Sequence, residues 1–195
     1  MLEAVTLEGR HVRLVPLARG HLDDLCEFAF EPALWRWIPS QIADRRELAA
    51  YIDAALEERD KGQSLPFAVI ERAGGKAIGS TRYGNISLAN RRVEIGWTWY
   101  APAHQRTPVN TECKLLLLTH AFEKLGMIRV ELKTDALNDK SRAAILRIGA
   151  TQEGIFRRHL ICQSGRVRDT VYFSILDGEW PEKKRALQAR LEPRP

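Results

Sequence analysis

Cysteine is scarce in this chain, long apolar runs are missing, and no internal repeat, low-complexity tract or long linker interrupts it. Three cysteines, Cys26, Cys113 and Cys162, stand far apart. An odd count without metal-ligand spacing argues against a disulfide framework and a zinc site, so no metal is expected. Cys113 falls in the first turn of a predicted helix, where a thiol can be acidified. No histidine stands at an offset that would make it a nucleophile. No stretch of 18 apolar residues occurs, which excludes a transmembrane helix and a membrane partner. The opening segment MLEAVTLEGRHVRL carries charges where a signal peptide needs an apolar stretch, so the expected location is intracellular, in the cytoplasm. No zinc-finger, recognition-helix or aromatic RNA-binding signature is present. Nucleic acid is therefore not the expected partner, although the net charge is +5 and the pI near 9.3. That excess is densest in Arg157 to Leu160 and Gly165 to Asp169, and suits a ligand with several phosphates equally well.

What remains is an ordinary globular composition, 45% apolar and 28% charged over 195 residues. That is enough chain for one domain, residues 1–195, with a core of its own. His11 to Leu17 alternates as a strand does. Leu22, Leu25, Cys26 and Ala29 share one helix face, and Leu48, Tyr51, Ile52, Ala55 and Leu56 form the stripe of a second helix. Asp44 and Glu47 form a capping-box pair at that second start. Pro32, Trp35, Trp37 and Pro39 read as a loop between the two. Pro66 to Arg72 and Lys76 to Ile86 flank Gly74-Gly75 as a hairpin, and Arg91 to Tyr100 is the next strand. A largely buried helix covers Glu112 to Leu125, with Gly126 just past its end. Ile128, Val130 and Leu132 alternate with Arg129, Glu131 and Lys133 as a strand with one wet face. Asn138 caps a helix over Asp139 to Ile148. Ile155 to Cys162 and Arg166 to Leu176 form a last hairpin, and Pro181 to Leu191 a peripheral helix. The strand–helix–strand unit between 91 and 134 predicts a parallel pair inside a mixed sheet.

In such sheets ligands bind beyond the carboxyl ends of the strands. That position holds His104-Gln105-Arg106-Thr107-Pro108-Val109-Asn110-Thr111, a polar loop feeding a helix start, where free N–H groups and the helix dipole favour an anion. Glycine is absent where such a loop would use it, and Pro108 removes a donor. With Thr107 as N-cap, Pro108 fits the first helical position and the donors of Val109, Asn110 and Thr111 remain. Otherwise the loop is weakened.

The order and residues of LEGRHVRLVPL, VEIGWTWY, NTECKLLLLTHAFEKLG, IRVELKTDALNDKSRAAI and DTVYFSILDGEW resemble the GCN5-related N-acetyltransferases. The nearer likeness is to the branch with the ribosomal-protein alanine N-acetyltransferases, and it spans nearly the whole chain. The resemblance implies an α/β fold: a mostly antiparallel sheet with one parallel, splayed strand pair, flanked by helices. It implies acetyl-CoA as cosubstrate, an amine acceptor (a protein N-terminus or a small amine), and a homodimer as one assembly open to the family. The pantetheine arm would pair with the backbone of Trp97, Thr98, Trp99 and Tyr100. The pyrophosphate would rest on Gln105 to Thr111, where Pro108 and Asn110 replace two glycine positions of the family pattern.

The chemistry needs a base for the ammonium, donors for the thioester carbonyl and a stabilised thiolate. Glu94 is the candidate base, or else a cross-strand ion pair with Arg91 or Arg92. The tyrosine acid that the family often carries falls at Ile145 here. Ser141 is its substitute, or an ordinary helix-start serine. Asn138 matches the asparagine that bonds the pantetheine arm, a role compatible with capping. Trp35, Trp37, Tyr83 and His159 are candidates for the acceptor pocket, with Asp169 and Tyr172 behind them. Two rival readings keep the fold: transfer from a longer acyl-CoA, and a non-catalytic basic module associated with RNA or ribosomes.

Overall fold

The computed structural model describes residues 2–192 of the chain. One eight-stranded sheet runs in the order β1-β2-β3-β4-β5-β6-β8-β7. Its strands are β1 (Leu7–Glu8), β2 (Val12–Pro16), β3 (Leu65–Glu71), β4 (Ala77–Ser87), β5 (Arg92–Tyr100), β6 (Arg129–Asp135), β7 (Thr151–Ile161) and β8 (Val167–Leu176). Neighbours are antiparallel except β5 and β6, which are parallel. The expected mixed sheet with one parallel pair is what the chain forms.

Helices α1 (Leu22–Cys26), α2 (Pro32–Trp35) and α3 (Arg45–Asp60) lie on one face; α4 (Pro108–Thr119) and α6 (Trp180–Leu191) lie on the other, and α5 (Asp139–Arg147) follows β6. Two cores result. Under α4 and α6, Val93, Ile95, Val130, Leu132, Val171, Phe173 and Ile175 join Leu117, Leu118 and Leu187. On the opposite face, Trp35, Leu48 and Ile52 pack on Ala68, Ile70 and Trp99. Strand alternation sends neighbouring residues to opposite cores.

Three of the boundaries that differ from expectation bear on packing and the site. Residues 32–35 form a turn of helix instead of loop, because Pro32 stands at its first position after extended Glu31 and Trp35 finds a core site, donating to the Ala29 carbonyl at 2.6 Å. Strand β7 begins at Thr151, four residues before Ile155, because its pairing with β8 starts at Thr151↔Ser174. Helix α4 starts at Pro108, as the reading with Thr107 as N-cap expects, but its α-helical part ends at Thr119 and a π-helical turn over His120–Lys124 follows before Gly126. The Tyr83 hydroxyl donates to the Leu117 carbonyl at 2.5 Å just ahead of that turn, a side chain set into the helical ladder.

Glu112 ties α4 to the N-terminal strands. Its carboxylate accepts the N–H groups of Arg10, His11 and Val12 at 2.8, 2.7 and 2.8 Å. Gly9 has to be glycine there, since a Cβ would stand 2.5 Å from the Glu112 carboxylate. Among the described residues no helix is long and apolar enough to cross a membrane.

Candidate active site

The site begins where β5 leaves β6. The two strands pair only at Arg92↔Arg129, Val93↔Val130 and Glu94↔Glu131. β5 then stays with β4 to Tyr100, and β6 stays with β8 to Asp135. Beyond Ile95 and Leu132 the facing strand edges do not pair with each other, which leaves backbone donors and acceptors for a ligand.

A bulge turns β5 away. Between Ser80↔Trp99 and Arg82↔Gly96, β5 carries one residue more than β4, and Trp97 takes φ +51. A side chain in the left-handed region needs its surroundings to hold it. The Trp97 ring occupies the space a side chain on Gly84 would fill, with Cζ3 2.3 Å from the ideal Cβ position. The Arg82 guanidinium lies 5.2 Å from the Trp97 ring centroid and 5.1 Å from that of Tyr51, and pairs with Glu58 at 3.0 Å. Trp99 points into the core beside Phe28, Trp35 and Tyr51. Thr98 faces α4, where its hydroxyl meets Thr81 at 2.7 Å and receives the Lys114 ammonium at 3.0 Å. Burial holds the Lys114 pKa down at about 8, from 10.5.

The loop after β5 makes a short 3-10 turn at Pro102–His104, and Arg106 takes φ +62 before α4. Thr107 is the N-cap and Pro108 the first helical residue. The Thr107 hydroxyl donates to the His104 carbonyl at 2.7 Å and takes the Val109 N–H at 3.4 Å. This start alters the expected donor set. A helix beginning at Pro108 closes its first ring between the Thr107 carbonyl and the Thr111 N–H. Val109 is capped, so the open amides are those of Thr107 and Asn110. Gln105 folds back towards the Tyr100 carbonyl at 3.4 Å, and Asn110 Oδ1 accepts from the Tyr100 hydroxyl at 3.2 Å.

The β5–β6–β8 face away from α4 is polar. Glu94 is 6% exposed. Its partner is Lys133 of β6, with Nζ at 2.7 Å, rather than Arg91 or Arg92. Arg91 bonds the Gly126 carbonyl, and Arg92 pairs with Glu131. Asn85, at a second bulge with φ +46, donates to Glu94 at 2.5 Å. Both donors meet Oε2. Oε1 lies over Gly96, where a Cβ would come within 3.1 Å, so glycine keeps that oxygen clear. Burial opposes the Lys133 charge, but Glu94 and the Tyr172 hydroxyl outweigh it and raise its pKa. Lys133 also lies 4.7 Å from the Tyr172 ring centroid, and the Tyr172 hydroxyl stands 3.4 Å from His159 Nε2. Glu94, Lys133, Tyr172 and His159 thus form a chain across the face.

Other candidates separate. Asn138 Oδ1 caps α5 through the Ser141 N–H at 3.1 Å; Ser141 is half-buried and Ile145 is core. Trp37 lines a groove with Arg36, Gln41, Leu137, Ser164 and Arg166. Asp169 lines an adjoining cavity, its Oδ1 accepting the Arg158 N–H at 2.6 Å. Two acceptor candidates lie elsewhere: Trp35 is core, and Tyr83 is fully buried under α4, stacked near His120 and edge-on to Phe67. Strand parity sends Tyr83 to the covered face. Sequence reasoning missed Lys133, Asn85 and the Asp135–Arg166 pair. Alternation on β6 put Lys133 on the wet face, but only the parallel register brings it to Glu94. Among the described residues no cluster of His, Cys, Asp or Glu could hold a metal.

This architecture is that of an acyltransferase fold, and the comparisons specify it. The family description "Acetyltransferase (GNAT) domain" matches residues 11–151. The chain belongs to that family, which moves an acyl group from acyl-CoA to an amine. A GCN5-related N-acetyltransferase from Brucella melitensis is 38% identical, with TM-score 0.91 over 98% of this chain and 87% of that one. A Bacillus subtilis protein described as "Putative ribosomal N-acetyltransferase YdaF" is 36% identical over 110 residues, 56% of this chain and 59% of that relative. The chain therefore spans less than two thirds of that relative. RimJ of Mycobacterium smegmatis, solved with CoA-disulfide, shares the fold at 23% identity and TM-score 0.81, over 96% of this chain and 93% of that one.

Proposed function

We propose that the protein transfers an acetyl group from acetyl-CoA to a primary amine, by direct attack with both substrates bound together. One observation carries the reading: the unpaired β5 edge from Ile95 onward begins beside the buried carboxylate of Glu94 and ends at the loop that opens α4. The backbone of Trp97 and Trp99 would pair the pantetheine arm, and Asn138 would bond it further along. The Asn110 and Thr107 amides, with the helix dipole and Arg106, would seat the pyrophosphate. Strand N–H groups freed by the splay polarise the thioester carbonyl.

The acceptor ammonium first gives one proton to solvent, and the neutral amine nitrogen then attacks the carbonyl carbon. Its surplus proton passes to Glu94 Oε1, directly or through one water, while Lys133 and Asn85 on Oε2 hold the carboxylate in place. The carbon–sulfur bond breaks, the thiolate takes a proton from solvent, directly or relayed through the Ser141 hydroxyl, and Glu94 releases its proton to solvent. The amide and the free thiol leave.

Calorimetric titration with acetyl-CoA and an acetylation screen over N-terminal peptides and small amines test this reading. Micromolar coenzyme binding with thiol release is the expected result. Absence of coenzyme binding, with salt-sensitive RNA binding in its place, would support a non-catalytic module instead. A parallel series of longer acyl-CoA donors fixes chain length.

A further inference from the structure

Beyond the carboxyl end of β6 lie two adjoining cavities that share Leu137 and Arg166. They measure about 350 and 610 Å³. Together they form a groove from Asp135 to Trp37, with more volume than one amino acid fills. Its charges do not balance. Arg36, Arg158 and Arg166 line it against Asp135 and Asp169.

Both carboxylates are already engaged by the protein. Asp135 is buried, with Oδ1 on the Leu137 N–H at 2.9 Å and Oδ2 on the Arg166 guanidinium. Asp169 holds the backbone of the bulge at Arg158, which takes φ +50. The guanidinium groups are less satisfied. Arg36 and Arg166 stack on the Trp37 ring at 4.8 and 5.3 Å. Neither Arg36 nor Arg158 has an ion-pair partner among the described residues. A carboxylate matches the guanidinium fork better than any other side chain.

We infer that the acceptor is the N-terminal segment of an acidic polypeptide: its amine reaches Glu94, and the carboxylates of its following residues lie among Arg36, Arg158 and Arg166. This rests on the acetyltransferase reading for the amine but not for the groove, so binding and turnover are measured separately. The probes are hexapeptides sharing one first residue and one carboxyl-terminal dye, followed by Asp/Glu, Asn/Gln or Lys. Fluorescence anisotropy gives Kd, and thiol release from acetyl-CoA gives kcat/KM.

The acidic peptide should bind and react about tenfold better than its amide counterpart, with the lysine peptide weakest. The gap should narrow between about 0.05 M and about 0.5 M salt. An Arg36→Ser, Arg158→Ser double variant should lower acidic-peptide affinity about tenfold and keep its affinity for acetyl-CoA, which shows that the fold survives. Acidic and amide peptides within about twofold of each other would overturn the inference, as would a preference for lysine. Free aspartate turned over as fast as the acidic peptide would overturn the peptide assignment. Acidic-peptide binding without turnover of any amine would support the groove's assignment and sink the acetyltransferase reading instead.

Discussion

The two faces of β5, β6 and β8 are made of alternate residues of the same strands, yet they obey different rules. Under α4 and α6 lie Val93, Ile95, Val130, Leu132, Val171, Phe173 and Ile175, all buried and apolar. One residue along, on the opposite face, lie Glu94, Glu131, Asp135, Arg168, Thr170 and Ser174, also buried and all polar. Burial is common to both, so burial alone does not explain the composition. Charges taken out of water destabilise a fold unless they are paired. Keeping Glu94–Lys133 and Asp135–Arg166 where apolar residues would serve stability as well is a cost that chemistry explains and packing does not.

The sharpest way to break the comparison is to injure each face in turn. Phe173→Ala on the covered face should cost about 3–5 kcal/mol of stability, read by denaturant unfolding, with kcat of the folded fraction close to wild type. Glu94→Gln on the open face should lower kcat by about 10²–10³ while coenzyme affinity stays the same. If Glu94→Gln retains full kcat while Phe173→Ala lowers it, the faces have been assigned the wrong way round.

Lys114 is the exception that sharpens the contrast. It carries a positive charge on the covered side, with the Thr98 hydroxyl as its hydrogen-bond partner and no carboxylate partner among the described residues. Its pKa is about 8 in the fold and 10.5 outside it. The folded state therefore gives up the proton first, and stability rises as pH climbs from about 8 towards 10.5. Lys114→Met should stabilise the protein at pH 7 by about 1–3 kcal/mol, an advantage that fades over the same window. Because Thr98 lies on the strand proposed to pair pantetheine, the same variant should weaken acetyl-CoA binding. A variant that is more stable and binds coenzyme unchanged would make Lys114 a bystander.

Much of this was legible beforehand. Alternation placed the strands, Asn138 and Asp44 marked helix starts, and the strand–helix–strand unit foretold the parallel pair. The sequence could also place Lys133 on a wet face, but not opposite Glu94, because register between parallel strands is decided by packing across a helix and not by neighbours in the chain. Tyr83 and Trp35 misled because a large aromatic suits a core and a ligand pocket equally well. Of the groove arginines, Arg158 and Arg166 drew notice only as parts of basic clusters, and Arg36 drew none. That the nearby carboxylates were already engaged depended on tertiary contacts between β6, β8 and the turn after β6.

The smallest expected effect concerns Pro108. A proline that weakens the anion seat and a proline that starts the helix make opposite predictions for one substitution. With Thr107 as N-cap, the lost N–H is one the helix would leave unpaired in any case, and the fixed φ of proline suits the first turn. Pro108→Gly then adds freedom to the unfolded chain and to the loop, and should cost about 1 kcal/mol of stability. Acetyl-CoA affinity should stay level or fall by up to about fivefold, because a glycine N–H there would compete with Val109 for the Thr107 hydroxyl before it reached a phosphate. Calorimetry on the purified variant decides. Binding more than about tenfold tighter than wild type would mean that the missing donor had been limiting the site, and that the helix start at Pro108 offers the pyrophosphate less than its geometry suggests.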